Sequence, residues 1–201
     1  MKVLVAGTLT LLALLVQGGP VNAAGPERAE EIVGGKCFIC HGLDGESSSK
    51  LYPKLAGQHA EYIAKQLADF KTGRRKSDTM QALASDISAE EMLALGRYFE
   101  TKTSPVVPRE NAELAASGRL LYFSGNTASG VTACATCHGP RALGTAQLPR
   151  LAGQVRGYLQ NQLKQFNTRE RRNDNEVMHN VAARMSEQEV IAVSEFISSF
   201  E

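Results

Sequence analysis

The sequence predicts an all-α protein built as two small helical domains in tandem. Three observations lead there: a long internal repeat, apolar residues recurring at helical spacing in both copies, and no alternating run long enough for a sheet. A length of 201 residues accommodates one or two domains. With 43% apolar and 21% charged residues, the chain has the composition of a folded protein rather than a disordered one. Lys plus Arg number 22 against 21 Asp plus Glu, which argues against a nucleic-acid binder held by a basic surface.

The first element is not expected to belong to the fold. Lys2 supplies a positive start, Val3 to Val16 is mostly apolar, and Gly18-Gly19-Pro20 breaks any helix before Val21-Asn22-Ala23. This pattern predicts a signal peptide over residues 1–23, cleaved after Ala23, and an exported protein. The apolar run is short for a bilayer span of about 20 residues, and no later stretch is apolar enough to cross.

The repeat comes next. Cys37-Phe38-Ile39-Cys40-His41-Gly42 pairs with Cys134-Ala135-Thr136-Cys137-His138-Gly139. Pro53-Lys54-Leu55-Ala56-Gly57-Gln58 pairs with Pro149-Arg150-Leu151-Ala152-Gly153-Gln154. Tyr62, Gln66, Leu67 and Phe70 then match Tyr158, Gln162, Leu163 and Phe166, and Met80 matches Met178. Two copies, each the size of a small domain, make a domain pair and not a solenoid. The expected boundaries are 24–104 and 105–201, with a Pro- and hydroxyl-rich linker at about 101–112.

Within each copy about three helices with long loops are expected. His59 to Lys71 puts Ile63, Leu67 and Phe70 on one face, with Tyr62 and Gln66 beside it; Gln154 to Asn167 repeats this with Leu159, Leu163 and Phe166. Ser88-Ala89-Glu90-Glu91 and Ser186-Glu187-Gln188-Glu189 read as capping boxes, each opening a C-terminal helix. Gly34-Gly35 is expected to weaken the helix leading into the first cysteine motif. Helical domains this small bury little surface and need a staple, which a covalently attached apolar cofactor would provide.

All four cysteines lie in two C-x-x-C-H motifs, the pattern of c-type haem attachment. On a helix, Cys37, Cys40 and His41 share one face, so two thiols reach the haem vinyl groups while the histidine points at the iron. Three other readings compete. A shared zinc site needs four converging ligands. Structural disulfides fit an exported chain, but a C-x-x-C loop is too small to stabilise much. A thioredoxin-like site would want a βαβ setting. Two motifs in register within a duplication favour haem, giving two covalently bound haem c groups held by Cys37, Cys40, Cys134 and Cys137.

His41 and His138 then take one axial position each, and Met80 and Met178 the other, because these methionines recur at matching distances from the motif histidines. His59 and Met92 have no repeated partner, and Met185 reads as a core residue. The carbonyls of Pro53 and Pro149 are candidates to accept from the histidine Nδ1–H and fix the ring. Arg74, Arg75, Arg171 and Arg172 read either as propionate or partner contacts or as a solvated loop.

The ordered set of C-x-x-C-H-G, Pro-Lys/Arg-Leu-Ala-Gly-Gln and an axial Met before a capped helix resembles class I cytochrome c. Its duplication resembles the dihaem cytochrome c4 family. That resemblance implies two tandem class I cytochrome c domains related by pseudo-twofold symmetry, with haem propionates near the interdomain contact. It implies a periplasmic electron carrier between a bc-type complex and a terminal oxidase, sometimes loosely held at the membrane, expected to be a monomer and no enzyme. A second reading is the electron-accepting dihaem subunit of a dehydrogenase, such as a sulfide-oxidising flavoprotein. A third, a peroxidase-type haem enzyme, needs an iron with a labile or missing distal ligand. The two halves differ in their loops, which predicts two unequal reduction potentials.

Overall fold

The computed structural model describes residues 24–47, 49–103, 105, 106 and 108–200; the expected signal peptide lies outside the described residues. Among them the secondary structure is helical, with only two isolated β-bridges.

The first half starts with α1 (Pro26–Ile32), where a proline in the first turn and Glu27 suit a helix N-terminus. A π-helical turn (Val33–Cys37) follows, and α2 (Phe38–His41) carries the end of the first cysteine motif. Gly34-Gly35 therefore does not break this helix. The glycines widen one turn, where a Cβ at either would have open space around it, and such π-turns are frequent at functional sites. After a loop come α3 (Ala60–Lys71), α4 (Asp78–Ala84) and α5 (Ala89–Glu100). The second half repeats this order with α6 (Ala112–Ser124), α7 (Ala135–His138), α8 (Arg156–Asn167), α9 (Val177–Ala182) and α10 (Glu187–Ser198).

The expectation of about three helices per half is thus too low. The additional ones, α2, α4, α7 and α9, span only four to seven residues. They are too short to display an apolar period, and their positions follow from packing and capping instead. Both expected capping boxes are present: the Ser88 and Ser186 hydroxyls accept from the Glu91 and Glu189 amides, and each glutamate accepts back from its serine amide.

Each half has its own core. In the first, α1 and α3 pack on α5 and bury Ile32, Val33, Ile63, Met92, Leu95 and Phe99. In the second, α6 and α8 pack on α10 and bury Leu121, Tyr122, Leu159, Val193, Phe196 and Ile197. Met185 packs against this second core as expected. The α6–α10 crossing is close because residue 118 is glycine: a Cβ there would run into the Ala192 carbonyl oxygen. Gly96 does the same for α5 against the Ala60 backbone at the start of α3.

The halves meet through polar groups arranged in mirrored pairs. The backbones of Arg75 and Arg171 form an antiparallel bridge at the junction. Arg75 Nη1 donates to Gln66 Oε1 at 3.0 Å, while its Nη2 crosses to Tyr158 Oη at 2.9 Å and Gln162 Oε1 at 2.7 Å. Arg171 returns the pattern: Nη1 to Gln162 at 2.7 Å, and Nη2 across to Tyr62 Oη at 2.8 Å and Gln66 at 3.1 Å. These reciprocal contacts are the pseudo-twofold relation between the two domains.

Candidate functional site

A cavity of about 820 Å³ runs through both halves and brings all ten expected site residues to one wall system. Cys37, Cys40, His41, Pro53 and Met80 line it from the first half, and Cys134, Cys137, His138, Pro149 and Met178 from the second. The remaining wall is largely apolar, with Leu67, Phe70 and Leu95 on one side and Leu159, Leu163 and Ile197 on the other.

Both motif histidines are oriented the same way. His41 Nδ1 lies 2.9 Å from the Pro53 carbonyl oxygen, and His138 Nδ1 lies 3.1 Å from that of Pro149. A carbonyl only accepts, so Nδ1 carries the proton and Nε2 keeps its lone pair. Burial holds both imidazoles below the usual histidine range, although the proline carbonyls pull the other way. Each ring is therefore neutral at neutral pH, the form that ligates a metal. Burial also pushes the Cys37 and Cys134 thiols up to about 11, so they are not thiolates of the thioredoxin kind.

The methionines sit on short helices whose starts are capped differently. The Met80 amide donates to the Ser77 hydroxyl at 3.3 Å, whereas the Met178 amide donates to the Asp174 carboxylate at 2.5 Å. The second carboxylate oxygen of Asp174 is buried without a hydrogen-bond partner among the described residues. Both methionines are partly buried.

The four flagged arginines divide. Arg75 and Arg171 are 8% and 6% exposed and line the cavity, so the solvated-loop reading fails for them. Arg74 and Arg172 are exposed. Asp69, buried at the junction, is satisfied by Lys65 at 2.5 Å and by the Asn173 side chain at 2.7 Å; its repeat counterpart is the neutral Gln165. His59 and His179 are engaged elsewhere, His59 Nε2 with the Leu143 carbonyl at 2.8 Å and His179 Nδ1 with the Phe166 carbonyl at 2.9 Å.

The donor set fits haem c. Each half offers two free thiols, a neutral imidazole with its Nε2 uncommitted, a thioether and an apolar wall, all on one cavity. An apolar group filling this cavity would supply part of the core that each small domain otherwise lacks.

The comparisons with known proteins agree. The Cytochrome c family model matches twice, over residues 26–100 and 123–201. A cytochrome c4 from Thiocapsa roseopersicina is 40% identical over 90% of this chain and 95% of its own length. The chain belongs to the dihaem cytochrome c4 family. The crystal structure of reduced recombinant cytochrome c4 from Pseudomonas stutzeri superposes with a TM-score of 0.83 at 33% identity, covering 89% of this chain and all of that one. A thiosulfate dehydrogenase electron acceptor from Thiomonas intermedia is 34% identical over 88% of this chain and 81% of its own length. As a member of the family, the chain is an electron-transfer cytochrome with two covalently bound haem c groups and redox proteins as partners.

Two residues that matter to the site had no role assigned from sequence, Gln58 and Gln154. The signal was present: both close the repeated Pro-x-Leu-Ala-Gly-Gln motif. They are 6% and 7% exposed, and each crosses the junction to the other half.

Proposed function

We propose that this cytochrome is an exported carrier of one electron per haem, with a signal peptide at 1–23 and domains at 24–104 and 105–201. In this reading Cys37 and Cys40 hold the first haem by thioethers, and Cys134 and Cys137 the second. His41 with Met80, and His138 with Met178, would hold the two irons, while the Pro53 and Pro149 carbonyls would orient the imidazoles. When bound, each haem supplies an iron that cycles between two oxidation states. A haem iron held by a histidine and a methionine of the chain would keep no position open for oxygen or peroxide, which favours electron transfer over catalysis. Its function is periplasmic, as a monomer between a bc-type complex and a terminal oxidase.

The observation that carries the reading is the mirrored His–Pro pair on one cavity, with a thioether on a capped helix in each half. Among the described residues no helix is long and apolar enough to cross a membrane. The test is an alkaline pyridine spectrum with the intact mass of the exported protein. Two attached haems and cleavage after Ala23 are expected; one haem or none overturns the reading. The carrier role is checked by reduction with a purified bc-type complex and reoxidation by a terminal oxidase.

A second reading is an electron-accepting subunit of a dehydrogenase. The likeness to a thiosulfate dehydrogenase electron acceptor favours that class, with a sulfur-oxyanion enzyme rather than a sulfide-oxidising flavoprotein as the donor. Rapid reduction by a thiosulfate dehydrogenase, and none by the bc-type complex, would select it.

A further inference from the structure

Each half's glutamine grips the peptide group that orients the other half's histidine. The peptide joining Pro53 to Lys54 is bonded at both ends. Its carbonyl oxygen accepts from His41 Nδ1 at 2.9 Å, and its N–H donates to Gln154 Oε1, from the second half, at 2.7 Å. Gln154 Nε2 then donates to the Lys54 carbonyl at 3.0 Å, closing a two-point clasp. The mirror image holds throughout. The Pro149–Arg150 peptide accepts from His138 at 3.1 Å and donates to Gln58 Oε1 at 2.9 Å, and Gln58 Nε2 donates to the Arg150 carbonyl at 3.0 Å.

Neither glutamine is a loose surface side chain. Gln58 Oε1 also accepts from the His59 amide at 3.2 Å, and Gln154 Oε1 from the Val155 amide at 2.9 Å. His59 and Val155 are the residues just before α3 and α8, so each amide is anchored to a helix start in its own domain while it reaches the other. This network also settles the orientation of both side-chain amides, because a flip would face two N–H groups at the oxygen's place.

A peptide group bonded at both ends is polarised. An acceptor on its N–H makes its carbonyl oxygen more negative and strengthens the bond that oxygen accepts. Along the chain His41 N–H to Pro53 C=O, then Lys54 N–H to Gln154, electron density is drawn toward the histidine. A stronger acceptor on Nδ1–H makes the imidazole a more basic ligand, and a more basic ligand favours the oxidised iron and lowers the reduction potential.

We propose that Gln154 and Gln58 are crossed positioning residues: Gln154 sets the reduction potential of the haem in the first half, and Gln58 that of the haem in the second. The inference rests on the ligand assignment proposed above. It explains why a glutamine ends the repeated motif in both copies. It also makes each haem's potential depend on domain docking, since separation of the halves breaks both clasps.

The test uses the full holoprotein and the variants Gln154→Met and Gln58→Met, which keep length but remove the hydrogen bonds. The two potentials are resolved by spectroelectrochemical titration and assigned by the one that Met80→His displaces. Gln154→Met should raise the first haem's potential and leave the second in place; Gln58→Met should do the reverse. A general loosening of the junction would move both potentials together in both variants, and that outcome overturns the proposal, as does no shift. If Gln154→Met does not accumulate, Gln154→Asn, one methylene short of Lys54, gives the same readout. The unmodified protein is checked first for the weak red Met–iron charge-transfer band. Its absence defeats the ligand assignment, whereas its presence with uncrossed shifts defeats only the glutamine proposal.

Discussion

Arg75 and Arg171 face each other across the pseudo-twofold junction, their backbones side by side in an isolated antiparallel bridge and their guanidinium groups exchanged, each reaching a tyrosine and a glutamine of the other half. Each guanidinium also lies 4.6 Å from the centre of a ring in its own domain, Arg75 over Phe70 and Arg171 over Phe166. A planar cation satisfies both demands at once: its edge donates while its face stacks.

Arg171→Ala should therefore weaken the docking of the two domains. Hydrogen bonds from a charged donor are worth about 1.5–3 kcal/mol each, and the loss of several with partial compensation by water should cost on the order of 2–4 kcal/mol. Urea unfolding of the holoprotein checks this. The Arg171→Lys variant should recover little, because a lysine cannot serve Tyr62 and Gln162 together.

Under the proposed ligation, removing one methionine sulfur should affect one haem at a time. Met80→Ala or Met178→Ala should lower one reduction potential, open that iron to added ligands and halve the Met–iron charge-transfer band. The unmodified protein should titrate in two waves, because Met80 rides on a helix capped by a neutral hydroxyl and Met178 on one capped by a carboxylate. A single potential under all conditions would contradict this.

The second capping box predicts an acid limb. Glu189 is held below the usual carboxylate range, first by the Asn126 side-chain amide and then by the Ser186 backbone N–H. A depressed folded-state value means the unfolded chain takes up the proton first. The contribution of Glu189 is then complete above the ordinary carboxylate range, about pH 4.3, and fades as the pH falls through its lower folded value. Glu189→Gln should lower Tm at pH 7, where the charged acceptor contributes in full, and approach the unmodified protein as the pH falls below that range, flattening part of the acid decline.

The close α6–α10 crossing predicts intolerance at Gly118. Adding one methyl forces the helices apart, and overpacking of this kind costs about 1–3 kcal/mol or more. A fall in Tm of the Gly118→Ala holoprotein, larger than that of an exposed control such as Ser117→Ala, is the measurement.

Much of the site was legible before the fold. Cys37, Cys40 and His41 lie within one turn, so their cooperation is a local matter, and the second copy repeats it. Ser88 with Glu91 and Ser186 with Glu189 are equally local, and both boxes formed as read. The Gly34-Gly35 pair was a partial signal: the regular α-helix gives way to a π-turn there, but the widened turn keeps the helix running. The short helices at Asp78–Ala84 and Val177–Ala182 were missed because six or seven residues show no period.

By itself the sequence determined what each half contains: its thiols, its histidine, its methionine, its caps and its apolar faces. Those are statements about residues within a few turns of one another, where helix geometry dictates the neighbours. Only the tertiary structure decided which arginines are buried and which half's glutamine meets which half's proline peptide. Gln154 and Lys54 are 100 residues apart in the chain, and no local rule reaches that far. Their meeting follows from how two similar surfaces dock once each has folded, where every buried amide must find a partner and the nearest one belongs to the other domain.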